Sequence, residues 1–495
     1  MPRRPKAKDG LTAGERVRLY EAEQEKKHGS NNASAEESNI ADGAEMQEIE
    51  RTVAKVKREL PRPQHAVVNV DLSLKIGKIK AMHGMLNGPI SQGADLSDAF
   101  KEIGVPCVRF GGAEPGSDID LLFKTWGVGD RGEDGFELPE TDEWVAAARA
   151  TGAGVIFKLG MSRDMTSRAE TKYPCISTDD LVRICLKIVK RYYDRGVGGI
   201  RRFEISDICE AERLRETYCR VAESIKLYDD DISVGTRVSS ALSADDKELL
   251  KYCRKNHIPL DFVTVDCFGE SVEDDAAQIE KVSAYLRNIG HDETRIVVGA
   301  LSYAPLKSAE CGEMPSLFTN RCLPEARKRF FDKRRQTEGA AYLGAMMIRL
   351  GEVEGVSAAC AYDCRPYVSP WCPITDTYCN KEKPFYLYQT YGRLYRAADA
   401  TLCQCEQTAG MKHTGIYATA AVGEKEAYCL IVSFDGCSVV DLRLEGIPDD
   451  LYSAEVYMLD GVKNMSLADT VALSGMKKRL LLNVSNYGAV LVRLY

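Results

Sequence analysis

Gly199-Ile200-Arg201-Arg202-Phe203-Glu204-Ile205-Ser206-Asp207 is the stretch from which the fold is read. It is short, with Ile200, Phe203 and Ile205 as its apolar residues, and lies between two long segments with apolar residues at helical spacing, Asp179–Tyr193 and Glu210–Ile225. A short apolar strand between two amphipathic helices is the repeating unit of a parallel sheet. Outward in both directions the unit recurs. The pattern predicts strands at Ile79–His83, Pro106–Phe110, Gly154–Leu159, Gly199–Asp207, Ile232–Thr236, Asp261–Asp266, Arg295–Ala300 and Val356–Ala361. Helices are predicted near Leu96–Ile103, Thr141–Ala150, Asp179–Tyr193, Glu210–Ile225, Ala244–Asn256, Asp275–Ile289 and Glu325–Leu350. Eight such units over roughly 300 residues suit a closed (β/α)8 barrel, a TIM barrel of the α/β class. A doubly wound nucleotide-binding sheet has less support, because neither Gly-x-Gly-x-x-Gly after the first strand nor a Walker loop is present.

Beyond the barrel the periodicity changes. After residue 400 short strands follow one another at Ile416–Ala421, Ala427–Phe434, Val439–Leu444, Ala454–Leu459, Leu480–Val484 and Gly488–Leu494, separated by Gly, Pro and Asn. This predicts a C-terminal β-sandwich over 399–495. A barrel is assigned to 63–398, with the strand at 66–72 free to join the sandwich. Residues 1–62 are charged and poor in aromatics, and Gly29-Ser30-Asn31-Asn32-Ala33-Ser34 breaks them into two helical patterns. The second, Met46–Leu60, carries a two-heptad apolar seam that offers a surface for self-association or for a partner.

The net charge of −8 argues against a nucleic-acid or anionic-membrane partner. No apolar run reaches the roughly 18 residues that a membrane span needs. Behind Met1-Pro2-Arg3-Arg4 no apolar segment follows, so the expectation is a cytoplasmic chain whose seventeen cysteines are reduced. Cys360, Cys364, Cys372 and Cys379 are clustered but lack the paired knuckles of a zinc site, and the six histidines are scattered. No metal or other cofactor is expected.

In a barrel of this kind ligands meet the C-terminal ends of the strands. Those ends read His83-Gly84-Met85-Leu86-Asn87-Gly88-Pro89, Val108-Arg109, Lys158-Leu159-Gly160, Phe203-Glu204-Ile205-Ser206-Asp207-Ile208, Asp266-Cys267-Phe268, Gly299-Ala300-Leu301-Ser302-Tyr303-Ala304-Pro305 and Tyr362-Asp363. Over about residues 65–495 this set resembles glycoside hydrolase family 39, the β-xylosidase and α-iduronidase type of retaining glycosidase. The most specific piece is His83-Gly84-x-x-Asn87-Gly88-Pro89, against His-Gly-Val-Asn-Asn-Gly-Pro in the family.

The departures fall on the chemistry. Where the family has Glu-Ile-Trp-Asn-Glu-Pro, this chain has Glu204-Ile205-Ser206-Asp207-Ile208-Cys209, which puts Ile208 at the acid/base position. Where the family has Asn-Glu-Trp-Asn, this chain has Gly299-Ala300-Leu301-Ser302, which puts Ala300 at the nucleophile position. A retaining glycosidase needs two carboxyl groups about 5–5.5 Å apart. Isoleucine and alanine supply neither.

The resemblance therefore implies a carbohydrate-related protein, and the substitutions imply a non-hydrolytic, saccharide-binding pseudoenzyme. One alternative is an active glycosidase that uses Asp207, Glu210 and Asp266 instead. Another is a structural or regulatory partner of a true glycosidase. The expected substrate-binding residues for a saccharide or glycoside are His83, Asn87, Asp207, Asp266, Tyr303 and Asp363. Arg109 and Glu204 are expected to be a structural pair inside the barrel mouth.

Overall fold

The computed structural model describes residues 65–91, 93–111, 139–160, 177–193, 199–209, 211–312, 317, 322–365, 370–397, 399–406, 415–436, 439–473 and 475–495. The expected Met46–Leu60 helix and Glu210 lie outside them. Residues 63–495 form one compact unit.

Its centre is a closed barrel of eight parallel strands: Ala81–Leu86, Cys107–Phe110, Gly154–Leu159, Arg202–Ile205, Ser233–Val238, Phe262–Gly269, Arg295–Tyr303 and Val356–Ala361. The eighth strand pairs with the first and closes the ring. The TIM barrel predicted from the strand–helix alternation is therefore present. Alternation along each strand separates two cores. One set of side chains, such as Phe203 and Ile205, joins the layer between strands and helices. The other set, which includes Cys107, Ile156, Phe262, Val297, Ala358 and Cys360, fills the barrel interior.

Two helical features differ from the sequence expectation. The segment predicted as one helix over Glu325–Leu350 is two, Pro324–Arg335 and Thr337–Glu352, broken at Gln336, whose backbone is extended. The break turns the buried Arg334 toward the strand ends, where it donates to the Ser302 hydroxyl, at 2.5 Å, and the Trp371 carbonyl, at 2.9 Å. A further helix, Lys383–Ala397, completes the ring; its aromatic-rich sequence masked its helical period.

The C-terminal residues form the expected β-sandwich-like domain, built as one nine-stranded sheet. The long strand His65–Lys78, N-terminal to the barrel, inserts between Asp399–Glu406, antiparallel, and Val439–Glu445, parallel. Two strands not anticipated from sequence belong here, Asp399–Glu406 and Asn464–Ala472. The sheet folds over on itself, since Leu480 and Leu482 near one edge share a core with Ala454 and Val456 near the other. Ala427–Ser433 is buried on both faces: Cys429 and Ile431 enter the sandwich core, Leu430 and Val432 the barrel core.

The helix Thr337–Glu352 is the seam between barrel and sandwich. It is buried around nearly its whole circumference, as expected of an apolar helix packed on all sides. Gly344 allows the close approach, because a Cβ there would lie 2.4 Å from Leu387 Cδ2.

Candidate functional site

Above the apolar filling of the barrel, the next inward residues of the second to sixth strands are charged. Two residues beyond Cys107 stands Arg109; two beyond Ile156 stands Lys158; two beyond Gly235 stands Arg237; four beyond Phe262 stands Asp266. Glu204 on the fourth strand completes the set. Charged side chains at this depth persist only when paired and hydrogen-bonded, and here they are.

Arg109 and Glu204 form a bidentate pair, with Nε to Oε2 and Nη2 to Oε1 both at 2.7 Å. Ser206 adds a hydroxyl donor to Glu204 Oε1 at 2.6 Å. Burial by itself pushes the Glu204 carboxyl up, but the Arg109 guanidinium, Lys158 and the Ser206 hydroxyl together bring it down to about 2. Gly299 leaves room for the Arg109 side chain, since a Cβ there would sit 3.1 Å from the guanidinium. One level higher, Lys158 donates to Asp207 at 2.9 Å. Arg237 donates to Asp266 through Nε at 2.9 Å and Nη2 at 2.8 Å, and its Nη1 lies 3.7 Å from Asp207. The cations and carboxylates of this stack are equal in number, three and three.

Ile208 and Ala300 are the residues that the resemblance sets against the family's carboxylates. Ile208 is fully buried in the strand–helix core. Asp207 takes a left-handed φ of 51°, which turns the chain so that residue 208 points away from the mouth. Ala300 lies in the interior cluster, at the register shift where the seventh strand pairs with the sixth.

The expected saccharide-binding residues separate into three groups. Asp207 and Asp266 lie at the mouth, bracketing the Arg237 guanidinium. Asn87 and Asp363 meet each other, Nδ2 to Oδ1 at 3.0 Å, and both are buried. Asn87 Oδ1 also accepts from the Gly111 amide at 3.3 Å, and Arg365 Nε donates to both Asp363 oxygens, at 3.0 and 2.8 Å. Their polar atoms tie the ends of the first, second and eighth strands together. His83 and Tyr303 are corrections. His83 lies in mid-strand with its side chain toward the helices, where Nε2 donates to the Gly104 carbonyl at 3.1 Å and the ring packs on Tyr391 and Tyr395. Burial drives its pKa down to about 3, so the ring is neutral. Tyr303 also faces outward, because the register shift in the seventh strand reverses the alternation. Its hydroxyl donates to Glu338 at 2.5 Å and its ring packs on Tyr342 and Phe434.

Sequence reasoning missed Arg237, which lies one residue past the predicted end of the fifth strand. It also gave no role to Phe268 and Tyr362. Phe268 is 39% exposed at the end of the sixth strand, with its ring edge-on to Tyr362 at 5.0 Å. The inward alternation Phe262, Thr264, Asp266, Phe268 was the available signal. Among the described residues two interior polar atoms have no protein partner, Thr264 Oγ1 and Asp266 Oδ1. No group of three or more His, Cys, Asp or Glu among the described residues is placed to hold a metal. No helix among them is long and apolar enough to cross a membrane.

No protein-family model matches the chain, and no curated protein matches it. Solved structures do. A glucosidase from Croceicoccus marinus aligns with a TM-score of 0.67 at 17% identity, over 88% of this chain and 99% of that one. The GH39 enzyme from Xanthomonas axonopodis pv. citri aligns with a TM-score of 0.61 at 14% identity, over 88% and 98%. An α-L-arabinofuranosidase from Thermotoga maritima, in complex with arabinose, aligns with a TM-score of 0.57 at 12% identity, over 86% and 99%. At these identities the likeness is one of fold: barrel and appended sheet together have the architecture of glycoside hydrolases of this (β/α)8 type.

Proposed function

We propose that this chain is a family 39-like, saccharide-binding pseudoenzyme, which takes a neutral saccharide or glycoside at the C-terminal mouth of its barrel without cleaving it by double displacement. One observation carries the reading: each inward carboxylate among the described residues is bonded to a cation; the resemblance, for its part, sets Ile208 and Ala300 against the family's acid/base and nucleophile. A glycosidase needs one carboxyl group poised to protonate the leaving oxygen and another free to attack or to activate water. Glu204 is committed to Arg109, Asp207 to Lys158, and Asp266 to Arg237. An inverting reaction by Asp207 and Asp266 would need a water between them, and a guanidinium contacts both instead.

What remains suits binding. Lys158 and Arg237 present donors, and Asp207 and Asp266 present acceptors, with Asp266 Oδ1 unengaged by protein. Alternating donors and acceptors fit vicinal hydroxyls, and the balanced charge favours a neutral ligand over an ionic one. Phe268 supplies an aromatic face. The family's stacking tryptophans are replaced by Ser206 and Leu301, so affinity is expected to be modest, near millimolar, or about −4 kcal/mol.

Saturation-transfer NMR and calorimetry with xylose, glucose and their methyl β-glycosides test this. Binding is expected, and Phe268→Ala should weaken it about five-fold, the value of one aromatic contact. Binding that is unchanged in both Phe268→Ala and Arg237→Gln would remove the site from the mouth.

A further inference from the structure

A concave site lies away from the strand C-termini, where the last barrel helix meets the sandwich. Where the helix Lys383–Ala397 meets the sandwich strands Ala427–Ser433, Ser453–Leu459 and Gly488–Leu494, a recess of about 460 Å³ is lined by Arg393, Arg396, Glu426, Tyr428, Tyr457 and Arg493. That volume falls within the roughly 300–1,000 Å³ of small-molecule sites.

The hydrogen bonds of the recess leave it one-sided. Arg493 is held by both nearby carboxylates, with Nε to Glu426 at 2.9 Å and Nη1 to Glu455 at 3.2 Å. The Tyr457 hydroxyl donates to Glu455 at 2.7 Å. Burial together with the nearby Glu426 carboxylate pushes the pKa of Tyr428 up to about 12. Both carboxylates are thus engaged. Arg396 donates through Nη1 to the Ile103 carbonyl at 3.0 Å, which leaves the other side of its guanidinium uncommitted to that carbonyl. Arg393, half-buried on the same helix face three residues earlier, has neither an ion pair nor a hydrogen bond among the described residues.

We infer that this recess binds the dianion of a phosphate monoester on a small metabolite. The walls carry three guanidiniums against one lining carboxylate, Glu426, which Arg493 already engages. A neutral sugar, whose hydroxyls need both donors and acceptors, fits this less well than an oxyanion, which needs donors only. A carboxylate is satisfied by a single guanidinium fork, whereas the tetrahedral oxygens of a phosphate can engage more than one. Cations near a helix C-terminus also interact with the helix dipole. That effect is available to side chains extended into solvent and does not require two guanidiniums to line one concavity. The volume exceeds what phosphate alone fills, which leaves space for the esterified group beside Tyr428 and Tyr457. The site is separate from the mouth, and its test does not depend on saccharide binding there.

The experiment is calorimetry on the full chain with glucose 6-phosphate, inorganic phosphate and glucose, at low and at high salt. Glucose 6-phosphate is expected to bind and to weaken with salt, as a charge-driven contact does. Arg393→Gln should weaken it about ten-fold or more, the value of a charge-assisted hydrogen bond. Arg393 makes no hydrogen bond among the described residues, so the variant should melt as the parent does; Arg393→Lys should retain part of the affinity. Inorganic phosphate binding as tightly as the ester would support the oxyanion site and make free phosphate its ligand. Absence of binding by either phosphate compound, equal binding of glucose, or an affinity for glucose 6-phosphate unchanged in Arg393→Gln would each overturn the inference.

Discussion

The barrel interior has two tiers of opposite character. The tier toward the strand N-termini is apolar, with Cys107, Ile156, Phe262, Val297 and Ala358 in contact. The tier toward the C-termini is ionic: Arg109 and Glu204 pair from the second to the fourth strand, and Lys158 with Asp207 and Arg237 with Asp266 pair between neighbouring strands. Apolar packing holds a barrel together whatever its chemistry. The ionic tier stands where a glycosidase keeps carboxyl groups at the disposal of its substrate, and here those groups serve one another. A polar network in which every carboxylate has a cation adds order to a fold; a catalytic pair held close together without partners subtracts stability. The difference between the tiers therefore bears on function: the upper one is built like structure.

The largest effect is expected from breaking that tier at its most buried point. Glu204→Gln leaves the Arg109 guanidinium buried without its counter-charge, and the loss of stability in urea should be about 3–5 kcal/mol. A loss below about 1 kcal/mol would mean that water reaches the pair and the mouth is looser than its burial indicates.

Acid should separate the tiers by a somewhat smaller amount. Glu204 has its folded pKa lowered from 4.5 to about 2. A lowered carboxyl pKa contributes stability that is fully present above the unfolded value, near 4.5, and is lost as pH falls toward about 2. The size is about 3 kcal/mol. The gap between the parent and Glu204→Gln should accordingly narrow below pH 4.5. His83 acts in the same direction over a higher window: its folded pKa is lowered to about 3, so the stability of its buried neutral ring is fully present above the unfolded value of 6.5 and is lost as pH falls from there toward about 3. Val297→Ala, in the apolar tier, should cost the same at pH 6 and pH 4. If its cost also shrinks with acid, the tiers are not independent.

Much of the barrel was legible because its signal is collective: one strand–helix unit is ambiguous, but eight in succession are not. The sandwich strands were legible for the same reason, except Asp399–Glu406 and Asn464–Ala472, whose sequences alternate poorly because one adjoins the long N-terminal strand and the other lies at an exposed edge. The residue types of the mouth could be read, but their directions could not. His83 and Tyr303 were assigned to the mouth by position, and a strand running three residues past His83 and a register shift before Tyr303 send both toward the helices. Asn87 and Asp363 were read as ligand groups, and their bond to each other is a tertiary fact without a local signature. Arg237 was lost by ending its strand one residue early. The left-handed backbone at Asp207, which buries Ile208, has no signal in a single sequence.

The central claim is that the mouth lacks a catalytic pair. Prolonged incubation of concentrated protein with 4-nitrophenyl β-xyloside and β-glucoside, followed by the released nitrophenol, tests it most directly. The account predicts no release above buffer. Release that is abolished by Asp207→Asn or Asp266→Asn would contradict it, because one of the carboxylates assigned here to ion pairs would then be doing the chemistry.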